Sequence, residues 1–573
     1  MEQNSYGNYN TAIGRSSMFT NYKGSYNTAL GYSSMLNLDS AFYNTAVGFN
    51  SMYYHRNGYW NSAVGMQALA YDTTGVSNTA IGTQALYLNR SSDNNTAVGV
   101  NAGYYNARDE NLFVGGASGF LSSYLQTTDQ RLGIQNVYLG YNSGYYANTG
   151  SFNVAVGHGA LVGAGYFNAD APGNTYYKRN VAIGDSSMAY SYGSDNVAVG
   201  YKTLSKSWST SQHVAIGSSA LYKTTATYPN TAIGYLSQDS VTTSGANTSL
   251  GSYTMTYLTQ GSGNTALGNA AMYLSDNAPN PTFVFENTAV GNNALRQTRY
   301  YGNTAIGAQT LSSDTASGYN TAVGYYAMNN HYNGWSNTAV GTSALRYDTT
   351  GYYNNAVGVN SMFNHRNGDW NVAMGYQALF NDVNGGANTA IGGSAMYNHK
   401  TNGVNTAVGF EAMYYDTASS YSAALGYRAL RYAKRGFENT ALGVGAQEYN
   451  DSSYYNTAVG RGSSFIKGGR YNTSVGLYSN AGTIAGFASG NGWLVEQTTN
   501  IGTYAGFKNY GTQNSFLGYA AGYGGGVDSL SGIENTGLGS YTLYGTTNGK
   551  SNTAVGMGSL FGNSTGNGNT AVG

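Results

Sequence analysis

The chain has 573 residues, 25 of them basic and 25 acidic, so its formal net charge is zero and charged residues make up only 9%. That argues against a nucleic-acid or anionic-lipid partner, because no basic stripe is available to track phosphates. With no cysteine it has neither disulfides nor thiolate metal sites, and 82 glycines and 57 tyrosines beside 4 prolines fit neither a collagen-like nor a proline-rich disordered chain.

The first ten residues, MEQNSYGNYN, lack the basic and apolar regions of a signal peptide, and no later run approaches the length of a membrane span. No membrane insertion is expected. Two origins fit an extracellular product without such a signal: assembly inside a cell, as for virus structural proteins, or an internal portion of a longer chain.

Asn-Thr-Ala-Val-Gly, first met as Asn10 to Gly14 with Ile13 in the fourth place, recurs in thirty-two copies down to Asn569 to Gly573. Of thirty-one spacings, twenty-one are seventeen residues, five are sixteen and five are longer. Fixed spacing over such a length is the mark of a repeat architecture. The expectation is an all-β parallel β-solenoid or β-roll of about thirty-two coils, one continuous domain over 1–573.

Numbering each coil from its Asn, position four is apolar (Ile13, Leu30, Val47, Val64) and position five is Gly throughout. This reads as a short strand whose apolar residue at position four points into the coil, followed by a corner that requires glycine. A small residue and then Leu or Met follow, as in Ala68-Leu69 and Ala344-Leu345. That pair is taken as a second short strand. The remainder, with Gly near position fifteen (Gly58, Gly75, Gly351), is turn chemistry.

Alternation along a strand sets positions two and four on one face and one, three and five on the other. With position four inward, the alanine at position three faces outward, and so small a residue there suggests close packing against another chain. Ala46, Ala63, Ala80, Ala97, Ala322 and Ala339 are candidates for that contact. The alternative is a coil so narrow that Ala lines a second inner corner.

The pattern N-[TSV]-A-[VIL]-G-x-x-[AS]-[LM] resembles the head repeats of trimeric autotransporter adhesins and the repetitive shafts of some phage tail fibres. The resemblance implies a left-handed parallel β-roll in a homotrimer, with Val47 and Val64 filling the roll and Ala46, Ala63 and Ala80 near the neighbouring chains. The adhesin repeat is a few residues shorter than seventeen, and that family's stalk and anchor segments have no counterpart here.

Inserted loops are expected near 116–135, 158–179, 269–286, 477–497 and 519–534. Loops on a rigid scaffold are frequent binding sites, so Tyr166, Phe167, Tyr176, Tyr177, Phe283, Phe285 and Trp493 are candidate surface-binding residues. Near these places position three also enlarges to Phe113, Tyr138 or Phe516. Tyrosines flanking the motif (Tyr26, Tyr43, Tyr32, Tyr376) should line up into ladders that stabilise the stack, with an exposed remainder suited to glycans or lateral association.

No catalytic or cofactor-binding motif emerges. Gly545 to Ser551 is one residue short of a phosphate-binding loop, and Gly562 to Gly566 matches a nucleophile elbow only within a Gly/Asn-rich turn. The six histidines are dispersed and form no metal-binding motif. The reading is a non-enzymatic structural and adhesive fibre, without cofactor or metal, that self-associates as a homotrimer or end-to-end filament and contacts a cell-surface glycan or other surface. Thirty coils at roughly 4.8 Å each would span on the order of 150 Å. The alternative is an ice- or surface-binding solenoid using the Thr row, against which stands the row's sharing its face with an expected core residue.

Overall fold

The computed structural model describes all residues except 1–2, 122–132, 148–149, 164–177, 208–210, 227, 244, 275–283, 450, 465–468, 483–494 and 525–531. The chain divides into two compact units, Met1–Val290 and Gly291–Gly573. Both are built the same way. Among the described residues there is no helix; the main regular structure is a ladder of three-residue parallel strands, one per coil at positions two to four, with two-residue parallel strands beside it at Gln3–Asn4, Thr20–Asn21 and Asn37–Leu38 in the first unit and at Ser453–Tyr454 and Gly469–Arg470 in the second. In the first unit Ala46 pairs with Ala63 and Ala63 with Ala80; in the second Ala322 pairs with Ala339 and Ala339 with Ala356. This is the expected parallel β-solenoid.

Insertions leave the ladder intact. Leu112 pairs with Val137, Val154 with Val181, Thr265 with Thr288, Thr473 with Thr499 and Ser515 with Thr536. The strands on either side of each insertion stay in register, and added residues cost little because closure entropy grows slowly with loop length.

The direction of the strand face is the reverse of the expected one. Position three, not position four, points inward. Ala46, Ala63, Ala80, Ala97, Ala322 and Ala339 are completely buried within a single chain, whereas Val64 is 41% and Ile81 43% exposed. These alanines therefore cannot be a surface against which another chain packs. They are small because the coil is thin. Ala at position three and Leu or Met at position nine meet across its interior, as in the buried cluster of Ala505, Phe516, Ala521, Leu543 and Ala554.

The expected second strand is also absent. Positions six to nine form turns, with left-handed backbone at positions seven and nine, such as Asn50 (φ 52°) and Met52 (φ 49°). That conformation is unfavourable for L-residues by roughly 1–2 kcal/mol each. It persists because the amide of each donates to a neighbouring coil, as from Gln67 to Phe49 O (2.7 Å) and from Met52 to Ala68 O (2.9 Å). Gly at position five has a different cause: Gly48 sits at φ 137°, and a Cβ there would lie 2.3 Å from the Gly65 carbonyl oxygen.

Asn at position one forms an internal ladder, with His213, Ser422 and Thr498 in its place at three rungs. The Asn44 Oδ1 accepts from both the amide N (2.9 Å) and the Nδ2 (3.0 Å) of Asn61, whose Nδ2 also donates to Gly75 O at position fifteen of its own coil (2.7 Å). Each buried amide thus ties one coil to the next and closes its own coil, leaving none of its polar groups unmet. His213 replaces Asn at one rung: its own amide donates to Asn196 Oδ1 (2.9 Å), and its Nδ1 accepts from Asn230 N (2.9 Å). Burial lowers its pKa to about 4. An imidazole held neutral when folded stabilises the fold fully above about pH 6.5, and that contribution is lost as pH falls toward 4. His213→Asn should therefore raise the melting temperature at pH 5 more than at pH 7.5, as thermal unfolding at the two pH values will show.

Core volume is conserved by exchange between positions three and nine. Where position three is Tyr138, position nine is Gly144, and a Cβ there would lie 2.3 Å from the ring; Phe113 with Gly119 and Phe516 with Gly522 repeat the pairing. Gly144→Leu alone should overpack the coil, destabilising it by about 1–3 kcal/mol or more. Tyr138→Ala combined with Gly144→Leu restores the common arrangement, and denaturant unfolding of the four-member cycle should show strong favourable coupling.

Candidate functional surface

Because positions one, three and five line the interior, positions two and four face outward, and their neighbours at positions seventeen and six continue the same face. In the first unit it carries Trp60 (62% exposed), then Ser62 and Val64, then Met66; in the second, Tyr353, Asn355 and Val357 are followed by Val359. The parallel register repeats these positions from coil to coil, so the face consists of columns: a mixed one with aromatic clusters at position seventeen, one mostly of Thr at two, an apolar one at four, and a mixed one with aromatic clusters at six. Stacked rings mark the two outer columns. Tyr26 and Tyr43 lie 4.9 Å apart and Tyr353 and Trp370 4.3 Å apart at position seventeen. Tyr32 and Phe49 (5.3 Å), and Phe410 and Tyr427 (5.9 Å), stack at position six. Only the position-four column is apolar in every coil; the two outer columns mix rings with polar and charged residues such as Glu110, Asp195 and Glu438 at position seventeen and Arg15 and Asp185 at position six. A continuous apolar column at a surface marks a place of contact.

A separate aromatic column at position ten is half-buried and covers the Leu/Met core. Its rings include Tyr87, Tyr104, Phe120 and Tyr145 in the first unit, at 4.8, 5.1 and 5.0 Å. Phe363, Phe380, Tyr397 and Tyr414 repeat it in the second, at 5.1, 5.0 and 5.1 Å. Burial pushes the Tyr104 and Tyr145 phenols up, keeping them neutral. This column is not the one expected from the tyrosines that flank the motif, whose stacks lie exposed at positions six and seventeen.

The loop candidates Tyr166, Phe167, Tyr176, Tyr177, Phe283 and Trp493 lie outside the described residues, as do Pro172, Pro279 and Pro281. Phe285 is described and exposed. The second unit also has a cleft of about 630 Å³, lined by Arg428, Glu448, Tyr449, Arg461, Tyr478 and Phe507 among others. Burial raises the Glu448 carboxyl, and the nearby Arg428 and Arg431 oppose that shift. Arginines, a carboxylate and aromatic rings thus converge at this cleft, which sequence reasoning missed because its residues come from different coils.

The histidines are less dispersed than the sequence suggests. His331, His365 and His399 occupy position twelve of alternate coils, and Asp314, Asp348, Asp382 and Asp416 occupy the same position in the coils between; all seven are completely buried. Each His Nδ1 faces the Asp of the following coil, at 3.2 Å for His331–Asp348 and 3.0 Å for both His365–Asp382 and His399–Asp416. The signal was present in the sequence: successive histidines are thirty-four residues apart, twice the coil period. His55 and Asp72 form one such pair, at 3.4 Å, in the first unit. Among the described residues no group of three or more His, Cys, Asp or Glu is placed to hold a metal ion, and no helix is long and apolar enough to cross a membrane.

Compared with known proteins, the chain matches no family model and no curated protein sequence.

Proposed function

We propose that the protein is a non-enzymatic structural fibre element that self-associates through its strand face and adheres to a surface. The observation that supports this most is the in-register exposure of the apolar column at position four, flanked by clusters of stacked rings, on a chain whose charges cancel. Such a face loses its water contact when a second copy covers it, at roughly 25 cal/mol for each Å² of apolar area buried. Association thus moves from the alanines to the residues on either side of them, and a homotrimer or a laterally associated filament both satisfy it. The Arg- and Tyr-lined cleft of the second unit is the best described place for contact with a glycan, since rings stack on sugar faces and arginines bind acidic groups. An extracellular setting, as a virion appendage or a cell-surface filament, suits such a product.

Light scattering after size exclusion should give a species of several times the 60.3 kDa chain mass. Val340→Lys combined with Leu425→Lys and Leu442→Lys should reduce it to one chain mass with an unchanged β-type circular dichroism spectrum. A wild-type chain that stays monomeric at every concentration would sink the proposal.

A second reading is favoured by the same reversal. With position four outward, Thr at position two no longer shares its face with a core residue, and Thr and aliphatic columns form an ordered array of the kind that can organise water at an ice surface. Thermal hysteresis of the wild type, reduced severalfold by Thr321→Tyr with Thr338→Tyr, is the outcome that reading requires.

A further inference from the structure

We infer that the Asp–His column at position twelve is a proton-held register latch: it locks coils 303–419 of the second unit into one stacking order and lets them go in mild alkali. This inference is independent of what the outer face binds.

Its first support is geometric. His331 and His365 direct both nitrogens at acceptors, while His399 Nε2 lies 3.3 Å from both Asn402 O and Asn388 Nδ2. His331 Nε2 meets Gly334 O at 2.9 Å and His365 Nε2 meets Gly368 O at 2.8 Å, while their Nδ1 atoms face Asp348 and Asp382. A carbonyl can only accept, so Nε2 carries hydrogen. The Nδ1–carboxylate contact then needs a second proton, which makes each of these two His–Asp pairs a one-proton unit. The second oxygens of the carboxylates are also engaged: Asp348 Oδ1 accepts from Gly351 N (3.0 Å), Asp382 Oδ1 from Gly385 N (2.9 Å) and Asp416 Oδ1 from Ser419 N (2.8 Å). Removing the proton leaves a buried carboxylate opposite a bare nitrogen lone pair, with no water to reach either.

Its second support is the degeneracy of the rest of the coil. Asn at position one, Ala at three and Gly at five are the same in successive coils here, so the strand ladder and the Asn ladder would form as well if one coil were skipped. Position twelve would not. Skipping one coil puts Asp348 on Asp382 or His331 on His365, buried like on like. A buried polar pair that fixes register is the best attested use of such pairs, and this segment has them in seven consecutive coils. The column also ends on neutral residues, Thr298 before it and Ala433 after it.

The ionisation of the column agrees. Burial opposes charge on each imidazole, but the facing carboxylates outweigh it: the pKa of His331 is raised to about 9 by Asp348 and Asp314, and that of His365 to about 9 by Asp382 and Asp348. Asp416 and Asp382 raise His399 in the same way. The other charged groups acting on these rings are thus the column's own carboxylates; the Asn ladder and the position-fifteen backbone beside them are uncharged. Three imidazoliums face four carboxylates, and the odd one, Asp314 at the end, is pushed up to about 6 by burial against the pull of His331. A histidine pKa raised on folding contributes stability that is complete below about 6.5 and is lost as pH rises through about 9.

The test is amide hydrogen exchange with mass-spectrometric readout on the full-length protein between pH 7 and pH 10, each rate divided by its intrinsic base-catalysed rate. Peptides within 320–416 should lose protection at least tenfold across this range, while peptides within 498–573, which carry the stacked rings Phe507, Tyr523, Tyr544 and Phe561 without a histidine, should not. The control is an all-Asn column: His331→Asn, Asp348→Asn, His365→Asn, Asp382→Asn, His399→Asn and Asp416→Asn. The chain already stacks Asn at this position, Asn106 Nδ2 donating to Asn89 Oδ1 at 3.1 Å. The variant should keep its protection through pH 10. Equal loss in both segments of the wild type, no loss in either, or the same localised loss in the variant would each overturn the proposal. If the variant does not fold, the comparison of the two wild-type segments still decides.

Discussion

The structure depends on an amide ladder. In a parallel solenoid every coil must be tied to the next and closed on itself, and Asn at position one does both with one side chain. Its oxygen accepts from the following coil's backbone and amide, and its nitrogen closes the corner at position fifteen. A buried primary amide is expensive unless all its donors and acceptors are met, and here the repetition meets them. Each copy supplies what the next one lacks.

From that ladder the remaining features follow. Asn pointing inward fixes Ala at position three inward as well, because side chains alternate. Ala meeting Leu or Met across the interior makes the coil thin, so the core is a single layer of side chains in which an added ring must be matched by a lost one, as Tyr138 is by Gly144. The strand's remaining side chains then face outward, which is why the apolar residues of the motif form a surface. Where the identical coils leave stacking order undetermined, the Asp–His column supplies the distinction.

The period, the parallel strand and the continuity of the coils across insertions were legible because a seventeen-residue spacing with an unvarying glycine is compatible with little besides a stack of coils. The direction of the face was misread for a physical reason. Val is more apolar than Ala, so ranking by hydrophobicity placed Val47 and Val64 inside; yet Asn at position one in all but three coils, and Ala at position three giving way to a ring only where position nine becomes Gly, beside free exchange among Thr, Ser, Val and Asn at position two and among Val, Ile, Leu and Met at position four, were the trace of a tight interior and a tolerant exterior. The second strand failed because positions seven and nine take left-handed backbone, which Ser, Gln and Leu do not announce. The His–Asp column could have been found by writing the sequence coil under coil, since its pattern shows only at twice the period.

Replacement of one rung tests the account most directly. In the native ladder Asn337 Nδ2 donates to Gly351 O (2.7 Å) and Asn337 Oδ1 accepts from Asn354 N (2.8 Å). Asn337→Ala orphans both partners in a buried corner, at about 1–3 kcal/mol for each. Hydrogen exchange across residues 320–371 should show protection falling by about two orders of magnitude in those coils, against little change for Thr338→Ala on the outward face of the same strand. Equal and small effects of the two substitutions would contradict the claim that the amide ladder holds the coils together.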